Sequence, residues 1–315
     1  MKKSHLLRCL AAIFVATILA APAAADNGCD LQLKDLSDVW WRGPTGAGYD
    51  VFDSVQRSQH VDFTVVRKKG TCSFFIGFVS SSSSDAIGRA LHHGQSKLRY
   101  QLYRDNGFST ILRDISQAEP GQVLSGVAVA GRDEYRFEFL FAIPPQQVVG
   151  PGPYHDQVEL RLYEGTIGAA ILRDVKKVHL RVDVPSVAEL SFRRTGIFDP
   201  RIRSTTLRFD PLRTGATGTV RLWARSNAGY RMFVESQHGG VLRHEDPIDE
   251  SVVGYTLRID NAVVPLNQGA RQVSAHTGVT TPDGREHVFD VTIGTVDTQS
   301  AGEYQDVITV TLRTL

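Results

Sequence analysis

The 315-residue sequence is poor in the residues on which most chemistry and membrane insertion depend. It holds 3 cysteines, 2 methionines and 3 tryptophans, and its 35 basic residues nearly balance 34 acidic ones. Without a basic excess to neutralise phosphates, a nucleic-acid partner is not expected. Beyond the first 27 residues no segment approaches the roughly 20 apolar residues that a spanning helix needs. The Gly-x-Ser-x-Gly, His-Glu-x-x-His, phosphate-loop and dinucleotide signatures are missing, so neither catalysis nor a cofactor is expected. His92 and His93 are adjacent and would face opposite sides of a strand, which argues against a metal site. Helical periodicity is nearly absent too; only "SSSSSDAIGRALHHG" leaves room for a short helix.

The opening stretch, "MKKSHLLRCLAAIFVATILAAPAAADN", has a basic start, an apolar run from about Leu10 to Leu19, and small residues Ala23 and Ala25 spaced for cleavage. This reads as a secretory signal peptide, residues 1–25. Its removal takes Cys9 and leaves Cys29 and Cys72 in an oxidising compartment, where a disulfide between them is expected. A metal site is the weaker alternative, because neither cysteine has a Cys or His at short spacing.

What is abundant is alternation. Runs such as "HVDFTVV", "YRFEFLFAI", "QVELRLY", "VHLRVDV", "YTLRID" and "DVITVTL" place Val, Ile, Phe and Tyr on every second position, and Gly, Pro, Asn and Ser separate them. Period-two patterning of this kind predicts half-buried antiparallel strands and an all-β sandwich class.

The pattern is written twice. "GPYHDQVELRLYEG" returns as "GEYQDVITVTLRTL" at an offset of 150, pairing Gly152 with Gly302, Tyr154 with Tyr304, Asp156 with Asp306, and Val158, Leu160 and Leu162 with Ile308, Val310 and Leu312. Tyr100, Leu102 and Asp105 echo in Tyr255, Leu257 and Asp260, and Phe137, Phe139 and Phe141 in Phe289, Val291 and Ile293. Three ordered echoes predict two related domains, residues 26–175 and 176–315, joined around residues 164–178. The Tyr and Asp pairs read as architecture, a tyrosine tucked at a sandwich corner and an aspartate receiving hydrogen bonds, rather than as acid and base. No role is assigned to the serine run of "GFVSSSSSDA".

Three features, "LRYQLYRD", a middle strand such as "EYRFEFLFAI", and above all the Gly-x-Tyr-x-Asp-x-Val-x-Val-x-Leu strand, resemble the spore coat protein U domain family, found in secreted pilins of the archaic chaperone/usher pathway. The first copy carries all three with the cysteine pair; the second keeps the last one well and the others loosely, and has no cysteine. The resemblance implies immunoglobulin-like, pilin-type sandwiches in tandem, the second lacking its final strand. It implies an apolar groove filled first by a periplasmic chaperone and then, at an outer-membrane usher, by a strand from the adjacent pilin. Exposed strand edges recruit partners in this way by β-augmentation.

On this reading Tyr304, Asp306, Ile308, Val310 and Leu312 form the acceptor strand, next to which a partner strand is expected. Only Asp26, Asn27 and Gly28 precede Cys29, too little chain to donate a strand. In the first copy, "TIGAAILRDV" (166–175) is the candidate closing strand, with Ile167, Ala169 and Ile171 inward, the alternative being a flexible linker. The expectation is therefore a secreted, cell-surface tip adhesin of a pilus, serving attachment and biofilm formation. Rival expectations are a non-polymerising coat or matrix protein and, more remotely, a β-sandwich carbohydrate-active enzyme. Candidate adhesive loops are those of Trp40, Trp41 and Tyr49, turn-rich and aromatic, and of Val148 and Val149, flanked by prolines, for a surface or glycan ligand.

Overall fold

The structure, a computed structural model, describes residues 28–192 and 198–315; the expected signal peptide and Cys9 lie outside the described residues. The chain is all-β. In the first half the strands are β1 (Asp30–Lys34), β2 (Val39–Trp41), β3 (Arg57–Lys69), β4 (Cys72–Ser80), β5 (Ala90–His93), β6 (Ser96–Arg99), β7 (Gln101–Tyr103), β8 (Leu124–Ala128), β9 (Glu134–Ile143), β10 (Gly152–Thr166) and β11 (Ala169–Val184). In the second half they are β12 (Ala188–Ser191), β13 (Thr217–Ser226), β14 (Gly229–Ser236), β15 (Val241–His244), β16 (Val252–Ile259), β17 (Ala262–Val264), β18 (Arg271–Thr277), β19 (Arg285–Ile293), β20 (Tyr304–Gln305) and β21 (Ile308–Thr314). The serine-rich stretch forms no α-helix, only a single 3-10 turn over Ala86–Gly88.

Each half packs two sheets over its own core. In the first, β1-β3-β9-β7 faces β2-β11-β10-β4-β8, with β5 and β6 off the edge. Alternate residues from both sheets, including Leu31, Phe63, Phe74, Phe78, Phe139, Phe141, Leu160 and Leu180, are buried together in one cluster. In the second, β12-β13-β19-β16-β15-β20 faces the three-stranded β18-β14-β21. A separate core forms around Leu222, Tyr230, Met232, Val234, Leu257 and Phe289. Period-two alternation produces this arrangement because the pleat sends every second side chain inward.

The two topologies match strand for strand. β10 lies on β4 as β21 lies on β14, β9 joins β3 and β7 as β19 joins β13 and β16, and β8 flanks β4 as β18 flanks β14. The register corrects one echo. Leu102 faces Phe141, whereas its counterpart Leu257 faces Val291. Phe139 and Phe141 therefore correspond to Phe289 and Val291, two residues earlier than the sequence match placed them. A period of two hides such a slip, since a two-residue shift keeps every side chain on its face.

The boundary expected at 175/176 falls inside β11, which pairs with β10 from Thr166↔Ala169 to Gly152↔Val184. The connection at 164–178 is thus a hairpin of the first domain, and the chain leaves for the second sandwich after Val184. A strand of this length arises because β10 offers it a full-length edge.

Cys29 and Cys72 are disulfide-bonded across a separation of 43 residues, joining the start of β1 to the start of β4. Because both cysteines are in the bond, their proximity to Glu164 is no metal site. Closing a loop of that size stabilises by about 4 kcal/mol through the unfolded chain. Replacing both cysteines with alanine is expected to lower the first domain's stability by up to about that amount in a urea titration, while the second domain's transition, which contains no cysteine, stays where it was.

Candidate functional site

The two domains differ in one strand. In the first, β10 is paired on both sides, with β4 on one and β11 on the other. In the second, β21 is paired with β14 along its length, from Ser236↔Ile308 to Tyr230↔Thr314, and among the described residues no strand lies on its other edge. The walls of the vacancy are β21 and β12, which run close to each other, as β10 and β1 flank β11 in the first domain. There the backbone N–H of Leu33 on β1 donates to the Asp174 carboxylate of β11 at 2.8 Å.

Burial records the difference. Val158, Leu160 and Leu162 on β10 are at most 1% exposed. Their counterparts Ile308, Val310 and Leu312, pointing into the same layer, are only half-buried. Ala188, Leu190 and Phe192 on the β12 side are likewise incompletely covered. What fills the first domain's gap is Val178, Leu180, Val182 and Val184 of β11, all 4% exposed or less. The inward positions are thus not Ile167, Ala169 and Ile171: Ile167 sits in the hairpin turn, and Ala169 and Ile171 are exposed, because the domain's core begins further along β11. Each buried Val or Leu stabilises by about 1.5–3 kcal/mol, so four in a row contribute several.

Tyr304 and Asp306 belong to architecture, not to the groove wall. The Tyr304 hydroxyl donates to the carbonyl of Ser300 at 2.7 Å, and that of Tyr154 to Gly150 at 2.8 Å, each four residues back. Asp156 accepts from the hydroxyls of Tyr100 (2.6 Å), Ser80 (2.7 Å), Ser81 (2.7 Å) and Ser82 (2.9 Å). Asp306 accepts from Tyr255 (2.5 Å), Ser236 (2.6 Å) and the backbone N–H of His238 (3.0 Å). The serine run therefore completes the shell of a buried carboxylate. Burial raises the Tyr100 and Tyr255 phenols, and the aspartate beside each raises them further. A repeat invisible in sequence accompanies this: Gly152 lies against the His93 ring and Gly302 against His244, positions where a Cβ would collide.

The candidate loops separate clearly. Trp41 is buried, edge-on to Phe141 at 5.6 Å, and Trp40 is exposed. Tyr49 is not a surface contact: it is 6% exposed, its hydroxyl donates to the Pro144 carbonyl at 2.9 Å and accepts from the Gln147 N–H at 3.0 Å. Val148 and Val149 are partly buried against the core, since loop 144–150 folds down over it. All of these lie at the end of the sandwich where the chain departs. Tyr49 N–H binds the carbonyl of Asp183, and Phe52 packs under the Arg225 guanidinium of the second domain at 4.1 Å. Sequence reasoning missed Arg225 and Asn227, which brace that junction; Asn227 bonds to Pro185 and Val187. A single Arg and Asn without periodic context carry no such signal.

The arrangement is two β-sandwiches in tandem, the first closed by its own β11 and the second, among the described residues, with one edge of β21 unpaired. Residues 15–161 match the family model for the Spore Coat Protein U domain. No curated protein matched the chain. Among solved structures, the complex of the chaperone CsuC with the tip adhesion subunit CsuE from archaic chaperone-usher Csu pili of Acinetobacter baumannii is 14% identical, covers 90% of this chain and 99% of that one, and gives a TM-score of 0.45. The CupB6 tip adhesin of Pseudomonas aeruginosa is 9% identical over 90% and 94%, with 0.40. CfaE, the adhesive subunit of CFA/I fimbria of enterotoxigenic Escherichia coli, is 13% identical over 76% and 81%, with 0.31.

Two outcomes follow. Tyr255→Phe removes a donor from a buried carboxylate and should cost about 1.5–3 kcal/mol in urea unfolding of the second domain. Burial pushes the Tyr49 phenol up to about 12, whereas the unfolded phenol titrates near 10. Its contribution is therefore complete below pH 10 and lost between pH 10 and 12, as the unfolded chain ionises first. Tyr49→Phe should flatten the alkaline fall in stability by up to about 1.4 kcal/mol per pH unit in that window.

Proposed function

We propose that the chain is a pilus subunit of the chaperone/usher type, and more narrowly a two-domain tip adhesin. Its second domain accepts a strand into the gap between β12 and β21, and its first domain attaches to a surface, in support of biofilm formation. The observation that carries this reading is the contrast between β10, paired on both edges, and β21, paired on one. An open edge beside half-buried apolar residues gains both main-chain hydrogen bonds and side-chain burial from an added strand. The first domain closes itself with β11 and has no such need, so a subunit of this kind joins its fibre through one domain only. Before assembly the gap is covered by a periplasmic chaperone, and an outer-membrane usher exchanges it for the strand of the next subunit. The protein travels through the periplasm to the cell surface. No catalytic step enters this role.

The attaching surface lies opposite the departing chain. There, around the β10–β11 turn, Phe75 and Tyr163 stack at 5.1 Å on the outer face of the sheet and are buried beneath Ile115 and Ala118. Beside them Leu172 and Val127, on the same face by register, are 50% and 55% exposed. Exposed apolar groups at the free end suit contact with an apolar surface.

The test uses the first domain's own closing strand as the probe. A synthetic peptide of residues 176–184, added to the full chain, is expected to raise the unfolding temperature of the second domain and to slow amide exchange along β21. Saturation at a hundred times the dissociation constant is worth about 2.7 kcal/mol. Val310→Asp should abolish the effect. If the peptide has no effect and the β21 amides exchange as slowly as those of β10, the groove is not open and the docking role fails.

A further inference from the structure

We propose that the cleft beside Trp40 is a binding site for an acidic sugar, a single pyranose ring carrying a carboxylate. The site is separate from both the strand gap and the free end of the first domain. It lies on the outer face of the sheet where β2 joins β11 in parallel, with Trp40 directly opposite Arg181. The cleft measures about 360 Å³. That is the small end of the roughly 300–1,000 Å³ that ligand sites occupy, and it suits one ring rather than a chain.

The indole is displayed, not left over. Trp41, its neighbour, is buried, whereas Trp40 is 51% exposed and yet held in one orientation. Its Nε1–H donates to Asp183 Oδ2 at 3.0 Å, and the Arg181 guanidinium lies 4.8 Å from the ring centre. Arg181 in turn donates to Asp183 Oδ1 at 3.1 Å. A large aromatic plane fixed through its edge and by one cation costs little conformational entropy when a ligand stacks on it. The negative face of such a ring attracts the C–H edges of a sugar.

Backbone forms the opposite wall. Gly48 has φ +98°, and a Cβ there would run into the Asp183 carbonyl, so only glycine brings the 46–48 turn this close. Charge selects the ligand. Arg181 and Asp183 neutralise each other, but Arg42, which also lines the cleft, has no carboxylate partner among the described residues. One guanidinium free to bind in a bidentate manner favours a carboxylate over a neutral hydroxyl. The wider cleft at Arg104, Ile111 and Glu119 lacks an aromatic wall and offers no comparable platform.

The full chain is titrated with galacturonate and with neutral galactose, each followed by calorimetry. The acid is expected to bind more tightly than the neutral sugar. Trp40→Ala should weaken it by about tenfold or more, the loss expected for a stacked ring, and Trp40→Phe should restore part of that. Arg42→Gln should remove the preference for the acid. Trp40 and Arg42 are exposed, so unchanged thermal unfolding of the variants verifies that the fold is intact. The proposal is overturned if neither sugar binds, if both bind equally, or if Trp40→Ala binds as the parent does. None of these outcomes touches β21, so they leave the strand-docking reading to its own peptide test.

Discussion

The pairing of β10 with β11 is the interaction on which the rest of this structure depends. Along it the backbone of one strand satisfies the edge of another, and Val178, Leu180, Val182 and Val184 seal one side of the first core. The second domain is built to the same plan up to that point, and among the described residues it carries no such seal. Its core residues Ile308, Val310 and Leu312 stay half-covered and its last edge stays open. An edge of this sort is a liability in an isolated protein and a docking point in an assembly. The same missing strand explains the weaker burial and the proposed partner.

A second constraint keeps both sandwiches in register. A buried aspartate at the start of the strand beside the gap gathers a tyrosine hydroxyl from the neighbouring sheet and a serine hydroxyl from the adjacent strand, in Asp156 with Tyr100 and Ser80 and in Asp306 with Tyr255 and Ser236. A buried carboxylate left without donors costs more than the hydrogen bonds return, so loss of either hydroxyl destabilises the whole cluster. This holds β21 in place while its other edge stays free.

How these features were spread over the sequence decided which of them could be read there. The terminal motif and its twin, 150 residues apart, were visible because one strand carries them. Tyr255 and Asp306 echoed separately, but the bond between them joins residues 51 apart and has no local signature. The serine run carried no legible role because hydroxyls that satisfy a buried carboxylate and hydroxyls that meet water are the same residues. Of the loop candidates, Tyr49, Val148 and Val149 pack against a core that only the folded sandwich supplies, while Trp40 stays exposed.

The sequence by itself determined the all-β class, the duplication and the cysteine pair, since period-two alternation, repeated motifs and composition are local properties of the chain. Only the tertiary structure decided that β11 closes the first domain as far as Val184, that no described strand does so for the second, and that Trp40 faces outward beside Arg181 while Trp41 faces in. Those are questions of which edge finds which partner and which side chain meets the core. Such contacts join residues far apart in sequence, and their energy exists only once the sheets have stacked.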